Sequence, residues 1–328
     1  MVKVLIKLKI IYLSRKKLLM KKKILVTGAN GFIGKELVNQ LSAKGYKIVS
    51  FDLNFDETYK KNKNVEIFKG SILNELELDK AMKNCSHVVH LAAALGVQYT
   101  EKNRLECFEI NIEGTKKVLE TCVKRRIKKI IFSSSSEVYG NQNKKIFDEN
   151  TDLQVLSNYG ISKIVGEEYL RAYYEKYKLK YNIVRFFNVY GSNQKDNFVM
   201  TKFIKSIINK ENLYIYGSGN QMRSFCHVSD AVKGIILVLN KGKLNKLYNI
   251  GNDKEPIKVY ELAKKCIDYL KSNSKIIKID YRFSDRKQSR EVIKRIPGLK
   301  RIKRELNFKP SIMLKEGIKR IYNSLNKN

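Results

Sequence analysis

The sequence predicts an α/β fold built on a doubly wound parallel sheet, and three observations carry that prediction. Short apolar runs recur through the first half of the chain and alternate with segments of helical periodicity, as in strand–helix–strand units. The runs are continuous rather than alternating, as expected of strands covered on both faces. The first of them leads straight into Gly28-x-x-Gly31-x-x-Gly34, at a point where a strand passes into a helix.

Ile24-Leu25-Val26 forms the first strand, and Leu37, Val38 and Leu41 repeat at helical spacing after the glycines. Strand, glycine turn and helix start together make an anion site, where glycines admit the backbone to a pyrophosphate and free N–H groups point at it. A dinucleotide is the expected ligand. Tyr46 to Asp52 reads as the second strand, with Asp52 at its end about 20 residues past the glycines, where a carboxylate accepts ribose hydroxyls. That favours NAD over NADP, whose 2′-phosphate a carboxylate would repel. Val65 to Ile72 is a third strand and Leu76 to Met82 a helix. His87 to Ala93 is a fourth strand ending in small residues that suit close passage of a cofactor, with His90 read as packed rather than catalytic. Asn111 to Val123 is helical, with Gly114 where the helix presses on the sheet, and Ile127 to Ser133 is a fifth strand.

At 328 residues the chain can bury a full core in one large or two modest domains, and 43% hydrophobic with 30% charged residues is ordinary for a globular protein. The charge is not: 66 Lys+Arg against 32 Asp+Glu give +34. The lysines are dispersed rather than gathered on one aromatic-bearing face, which argues against nucleic acid as partner, while the field would still attract a diphosphate. Five cysteines (Cys85, Cys107, Cys122, Cys226 and Cys266) lie far apart without a CxxC pair, as reduced thiols of a cytoplasmic protein do, and no metal cluster is visible. Residues 1–20 form a basic N-terminal extension or an over-long start ahead of Met20. Lysines break its apolar run, so it is no membrane span, and no small-residue cleavage site follows; a basic membrane-surface segment is the other reading.

The fifth strand runs into Ser133-Ser134-Ser135-Ser136-Glu137-Val138-Tyr139-Gly140, hydroxyls at the carboxyl end of a parallel strand, where ligands of such sheets bind. Tyr159 and Lys163 then stand at i and i+4 of a helix reaching to about Tyr177, so both project from one face. Lys163 can hold ribose hydroxyls and lower the Tyr159 pKa by placing a cation beside it.

Together these motifs resemble the nucleotide-sugar epimerase/dehydratase branch of the extended short-chain dehydrogenase/reductase superfamily, over about residues 22–320. The matching stretches are Thr27 to Gly34, His90-Leu91-Ala92-Ala93, Ser133 to Gly140, Tyr159 to Lys163, Arg185 to Gly191, Gln221 to Asp230 and Tyr248 to Gly251. The resemblance implies a Rossmann-type NAD-binding domain over 21–190, with a returning strand near 247–251, and a smaller C-terminal α/β lobe over 191–328 that binds the nucleotide sugar. It implies cofactor contacts from Gly28, Asn30, Gly31, Phe32, Ile33, Gly34, Asp52, Ile72, Leu91, Ala92, Ala93, Tyr159 and Lys163. Ser135 would bond the sugar 4-OH, Tyr159 act as base and Lys163 orient the nicotinamide ribose. Asn188 and Arg223 would hold the diphosphate, Val199 and Tyr216 lie near the nucleoside, and a second phosphate arginine is expected at Arg286, with Arg290 the runner-up. A homodimer through a four-helix bundle that includes the Tyr159 helix is implied too, with Tyr173-Tyr174 at the contact. Departures from the family pattern are Ser71 for the usual Asp, Ser192 for Pro, Gly298 for Asp, and Ser157-Asn158 before Tyr159 where Pro is frequent.

The shared reaction is oxidation at C4 to a 4-keto sugar. Ser135 rather than Thr and the absence of Asp at 136 lean toward a 4-epimerase; the resemblance implies a nucleotide-sugar substrate, with a UDP-sugar expected ahead of the GDP, dTDP and CDP sugars. Glu137 keeps alive a 4,6-dehydratase, in which it would take the C5 proton, and a UDP-glucuronate decarboxylase. A 4-dehydrogenase or reductase completes the enzymatic set. A regulatory protein that only senses NAD stands outside it and is disfavoured by the intact Ser135/Tyr159/Lys163 set.

Overall fold

The computed structural model describes residues 22–56, 59, 62–280, 282 and 292–326. Residues 1–20, Arg286 and Arg290 are therefore outside the described residues.

The first half of the chain winds in the expected order. β1 (Lys23–Thr27), α1 (Phe32–Ala43), β2 (Lys47–Asp52), β3 (Val65–Lys69), α2 (Glu75–Ala81) and β4 (His87–His90) lead into α3 (Val97–Lys102) and α4 (Arg104–Phe108). A π-helical turn (Glu109–Glu113) joins α4 to α5 (Gly114–Lys124), and β5 (Lys129–Ser135) runs into a 3-10 turn (Ser136–Tyr139). α6 (Asn158–Tyr177) and β6 (Tyr181–Phe186) follow. After them come β7 (Val189–Tyr190), α7 (Val199–Ile208), β8 (Leu213–Tyr216), β9 (Met222–Ser224), β10 (Cys226–His227) and α8 (Val228–Lys241). β11 (Lys246–Ile250), β12 (Pro256–Lys258), α9 (Val259–Leu270), β13 (Ile276–Ile279), β14 (Lys294–Arg295), α10 (Lys300–Leu306) and α11 (Leu314–Leu325) complete it.

The main sheet has seven strands in the order β11-β6-β5-β4-β1-β2-β3, every pair parallel. Strand order reverses between β1 and β4, and the crevice at their carboxyl ends is where such sheets bind ligands. The returning strand expected near 247–251 is β11, in register with β6 from Lys246↔Asn182 to Ile250↔Phe186. Successive β1 side chains go to opposite faces. Ile24 and Val26 join the core beneath α1, α8 and α10, whereas Leu25 joins the core beneath α2, α5 and α6. Both faces are thus covered, which is why the strands read as unbroken apolar runs.

A third core joins α7, β8, α9 and α11 through Met200, Phe203, Ile204, Leu213, Leu262 and Ile318. Beside it stand small sheets, β13-β8 and the three-stranded β12-β9-β14. Several element ends differ from the sequence-based reading. β3 stops at Lys69 and β4 at His90, and the helix expected from Asn111 starts with the π turn. Gly114 presses on the Ile72 side chain beyond β3 rather than on the sheet; a Cβ there would come within 2.6 Å of Ile72 Cδ1. No helix among the described residues is long and apolar enough to cross a membrane.

Candidate active site

β1 delivers Gly28 into the reversal crevice at φ +70°, a conformation that favours glycine. An ideal Cβ at Gly28 would lie 2.6 Å from the Ala92 nitrogen, and one at Gly34 would lie 2.0 Å from the Gly28 carbonyl oxygen. The turn, the start of α1 and the segment after β4 therefore close on one another with no room for side chains. No side chain caps the N-terminus of α1 and no acidic residue sits in its first turn, so its leading N–H groups face the crevice uncompensated. That donor set suits a pyrophosphate.

Asp52 closes the far side. Its Oδ2 accepts the Asn30 N–H at 2.8 Å and its Oδ1 accepts the Leu53 N–H at 2.8 Å. Burial raises the Asp52 pKa, against the pull of those bonds. Asn30 Oδ1 is buried without a partner among the described residues, an acceptor left for a ligand donor. Cradle, carboxylate and orphaned acceptor fit NAD. At the departure noted at Ser71, a carboxylate does return to the strand end, since Glu77 on α2 accepts the Ser71 N–H at 2.7 Å.

The segment Leu91-Ala92-Ala93-Ala94 is pinned from two directions. Ala92 N–H donates to Thr27 Oγ1 at 3.3 Å, and Ala94 N–H donates to Asn111 Oδ1 at 2.7 Å. The Asn111 amide also donates to Ala94 O and to Ser162 Oγ, each at 3.0 Å, tying this segment to the helix of Tyr159 and Lys163. His90 lies buried between Thr27 (2.7 Å to Nδ1) and Thr115 (3.1 Å to Nε2). Thr115 spends its proton on Asn111 O at 2.6 Å, so His90 Nε2 must donate to Thr115 and Nδ1 accept from Thr27. Burial and then the Lys163 cation push the His90 pKa down to about 3. A neutral, doubly bonded imidazole is a packing group.

Of the four serines 133–136, only Ser135 is not buried, so the strand end offers one hydroxyl to the crevice. Its Oγ accepts the Glu137 N–H at 3.2 Å. Ser157 caps α6 by accepting the Gly160 N–H at 3.1 Å, which sets the first turn that carries Tyr159. Lys163, one turn on, is 3% exposed, and its Nζ lies 5.4 Å from the Tyr159 ring centre and 5.1 Å from that of Phe132. Burial pushes the Lys163 pKa down to about 8, with Cys107 and Glu167 opposing. The Tyr159 pKa is raised, contrary to the expected lowering by Lys163. Burial is the first cause and the Glu137 charge the second, while a hydrogen bond from Ser135 works the other way.

Below the site is a buried charge network that sequence reasoning missed. Glu167 accepts from Ser134 Oγ at 2.6 Å and from Arg185 Nε and Nη2 at 2.8 and 2.6 Å. Burial works against the Arg185 charge, but the Glu167 carboxylate outweighs it and raises the pKa. The guanidinium lies 4.8 Å from the Tyr139 ring centre, and the Tyr139 hydroxyl donates to Asn249 Oδ1 at 2.8 Å. Strands β5, β6 and β11 are thereby locked to α6 beneath Ser135.

Arg295 was missed as well. It reaches in from β14 and pairs directly with Glu137. β14 runs parallel to β9 with Arg295 opposite Arg223, so the two guanidinium side chains share a sheet face. Asn188 Nδ2 donates to Ser224 O at 3.1 Å, which ties one residue expected at the diphosphate to the main chain just after the other, Arg223. Val199 begins α7, Tyr216 ends β8, and Lys202, on the turn after Val199, lies 5.3 Å over the Tyr216 ring. The only sequence signal for Arg295 is a cation one residue ahead of Ile296-Pro297, which carries no recognisable spacing.

A family model described as NAD dependent epimerase/dehydratase family matches residues 24–251. The chain belongs to that family. A putative UDP-glucose 4-epimerase of Methanocaldococcus jannaschii is 36% identical over 93% of this chain and 99% of its own length. A UDP-N-acetyl-alpha-D-glucosaminuronate decarboxylase of Bacillus cytotoxicus is 31% identical over 92% and 96%. The crystal structure of a UDP-glucose 4-epimerase from Thermotoga maritima, holding UDP-glucose, superposes with a TM-score of 0.85 at 29% identity, covering 93% of this chain and 99% of that one. The family is NAD-dependent and gathers nucleotide-sugar epimerases, dehydratases and decarboxylases, so this chain is an enzyme of that set.

Proposed function

We propose that the protein is an NAD-dependent nucleotide-sugar 4-epimerase that works through a transient 4-keto sugar. The observation that carries this reading is the grouping of Ser135, Tyr159 and Lys163, with the ammonium 5.4 Å from the Tyr159 ring centre and the Ser135 hydroxyl in hydrogen-bonding reach of the phenol. NAD, held by the glycine turn and Asp52, would supply the acceptor and the donor for the C4 hydride. Ser135 bonds the sugar 4-OH, and Tyr159 takes its proton as the hydride leaves. Burial and the Glu137 charge make the phenol a poor acid, and the Lys163 ammonium is the cation placed to favour its ionised form. On return of the hydride, Tyr159 gives the proton back.

Asp52 takes the adenosine ribose, and Asn188 with Arg223 takes the diphosphate. Val199 and Tyr216 flank the nucleoside, and residues from about 191 cover the sugar. A UDP-sugar is the substrate class, in keeping with the UDP-glucose held by the Thermotoga maritima neighbour. A homodimer is part of the same reading, with Tyr173 and Tyr174 of α6 at the contact. Elution volume in size-exclusion chromatography tests it.

Proton NMR of a nucleotide-sugar panel incubated in D₂O tests the reaction. C4-inverted product without solvent deuterium supports the epimerase. A 6-deoxy-4-keto product carrying deuterium at C5 makes the protein a dehydratase, and a pentose product from a uronate makes it a decarboxylase.

A further inference from the structure

Glu137 is a carboxylate whose charge acts on Tyr159 and which the epimerase reading leaves without a task. In a 4-keto sugar the C5–H is acidified by the neighbouring carbonyl. A base that took this proton would send the C–H electron pair into the enolate. Collapse of the enolate would break the C6–O bond, the leaving hydroxyl taking up the proton that the glutamate had gained and departing as water, and would divert the sugar to a lyase product. A 4-epimerase with a free glutamate at this point would leak.

We propose that Arg295 is a positioning residue that holds Glu137 out of base chemistry at C5 and so keeps the 4-keto intermediate on the epimerase path; this rests on the reading above. Three features carry it. Arg295 Nη1 is bonded to Glu137 Oε1, and the two side chains are 8% and 20% exposed, unlike a solvated surface pair. A proton on either Glu137 oxygen would discharge the carboxylate and leave the guanidinium uncompensated in a mostly buried place. The backbone that presents Arg295 is fixed on both sides. Met222 N–H donates to Ile293 O at 2.8 Å, and Phe147 N–H donates to Ile296 O at 2.9 Å. Gly298 N–H donates to Phe147 O at 2.6 Å, so the cation cannot drift off with a loop. Finally, Arg295 Nε is buried without an acceptor among the described residues. The guanidinium is thus not placed for its own hydrogen-bonding satisfaction, and its single ion-pair partner there is Glu137.

The test is deuterium at C5, scored separately from inversion at C4. Wild-type protein and Arg295→Met are given the nucleotide sugar in D₂O, and also a nucleotide-linked 4-keto sugar directly, so that the C5 readout does not depend on C4 oxidation. In the wild type, C5 label stays at the uncatalysed level. In Arg295→Met the C5 label relative to C4 inversion rises by about tenfold or more, the factor a charge-assisted hydrogen bond is worth. Adding Glu137→Gln to that variant returns it to the wild-type level. Arg295→Lys, which keeps the charge, stays below Arg295→Met.

Arg295→Met that inverts C4 without C5 label overturns the proposal, as does label that survives Glu137→Gln. Should Arg295→Met fail to fold, Arg295→Gln carries the same expectation, and C5 label catalysed by the wild type overturns it without any variant. Loss of C4 inversion in the wild type defeats the epimerase reading alone, because the added 4-keto sugar still reports on Glu137.

Discussion

Glu167→Gln is the sharpest probe of how the site is supported. Glu167 is fully buried and holds a bidentate guanidinium from Arg185, whose side chain is 3% exposed, together with the Ser134 hydroxyl. The amide keeps the shape and one acceptor but removes the charge, leaving a buried guanidinium uncompensated. Removing one partner of such a pair costs about 3–5 kcal/mol. That is a large part of the roughly 5–15 kcal/mol by which a folded protein is stable. Urea unfolding followed by far-ultraviolet circular dichroism should show the midpoint falling with little change in slope. The double variant Glu167→Leu/Arg185→Met removes both charges and should recover most of the loss. Its C4 activity should stay low, since Ser134 adjoins Ser135 and Glu167 lies one turn beyond Lys163. A Glu167→Gln protein within about 0.5 kcal/mol of wild type, the range of ordinary surface substitutions, would refute the reasoning. So would a double variant as unstable as the single one.

Gly34→Ala drives a methyl group to 2.0 Å from the Gly28 carbonyl oxygen, and neither backbone can yield without opening the cradle. NAD affinity measured by calorimetry should fall about a hundredfold or more, the loss of two charge-assisted bonds, while circular dichroism keeps its helical signal. Tyr159→Phe should bind NAD and substrate yet lose about 10²–10⁴ in kcat, the worth of a positioned base. Lys163→Met tests the buried cation. The folded pKa of about 8 lies below the ordinary 10.5, so the charged form is penalised in the fold at pH below 8 and the penalty fades as pH rises from 8 to 10.5. Lys163→Met should then be more stable than wild type at neutral pH by up to about 3 kcal/mol, with the gap closing above pH 10.5 in denaturant titrations.

What the sequence made legible was local. Three glycines between a strand and a helix, and a Tyr and Lys four residues apart, state their geometry in their spacing. Both lie where that spacing puts them, at the carboxyl edge of a sheet whose parallel strands were readable from apolar runs. What stayed hidden depends on partners far along the chain. Glu137 and Arg295 are separated by 158 positions, and Arg295 arrives on a two-residue strand with no periodicity to announce it. Glu167 meets Ser134 and Arg185 at separations of 33 and 18, and nothing in a helical pattern distinguishes a buried glutamate from a solvated one. The raised Tyr159 pKa was hidden for a similar reason. The spacing gives the neighbouring cation but not the desolvation, nor the Glu137 charge that opposes it. Arg286, the residue expected at the second phosphate contact, lies outside the described residues.

The π turn Glu109–Glu113 holds one residue more than an α-helix would over the same rise. That surplus offsets the faces of α4 and α5 by about 100°, one helical step, so that α5 can cover the sheet while Asn111 turns toward Ala94 and Ser162. Removing any one residue of the turn would relax the segment into a single regular helix from 104 to 124, gaining ordinary i to i−4 bonding. The same deletion would swing the Asn111 amide away from the segment that lines the cofactor crevice and from the helix of Tyr159. At this place, then, substitutions are cheap and changes of length are not. Among descendants of this chain, insertions and deletions should be tolerated in surface loops such as 141–146 and eliminated from a helix interior that, by its own hydrogen bonding, would welcome one.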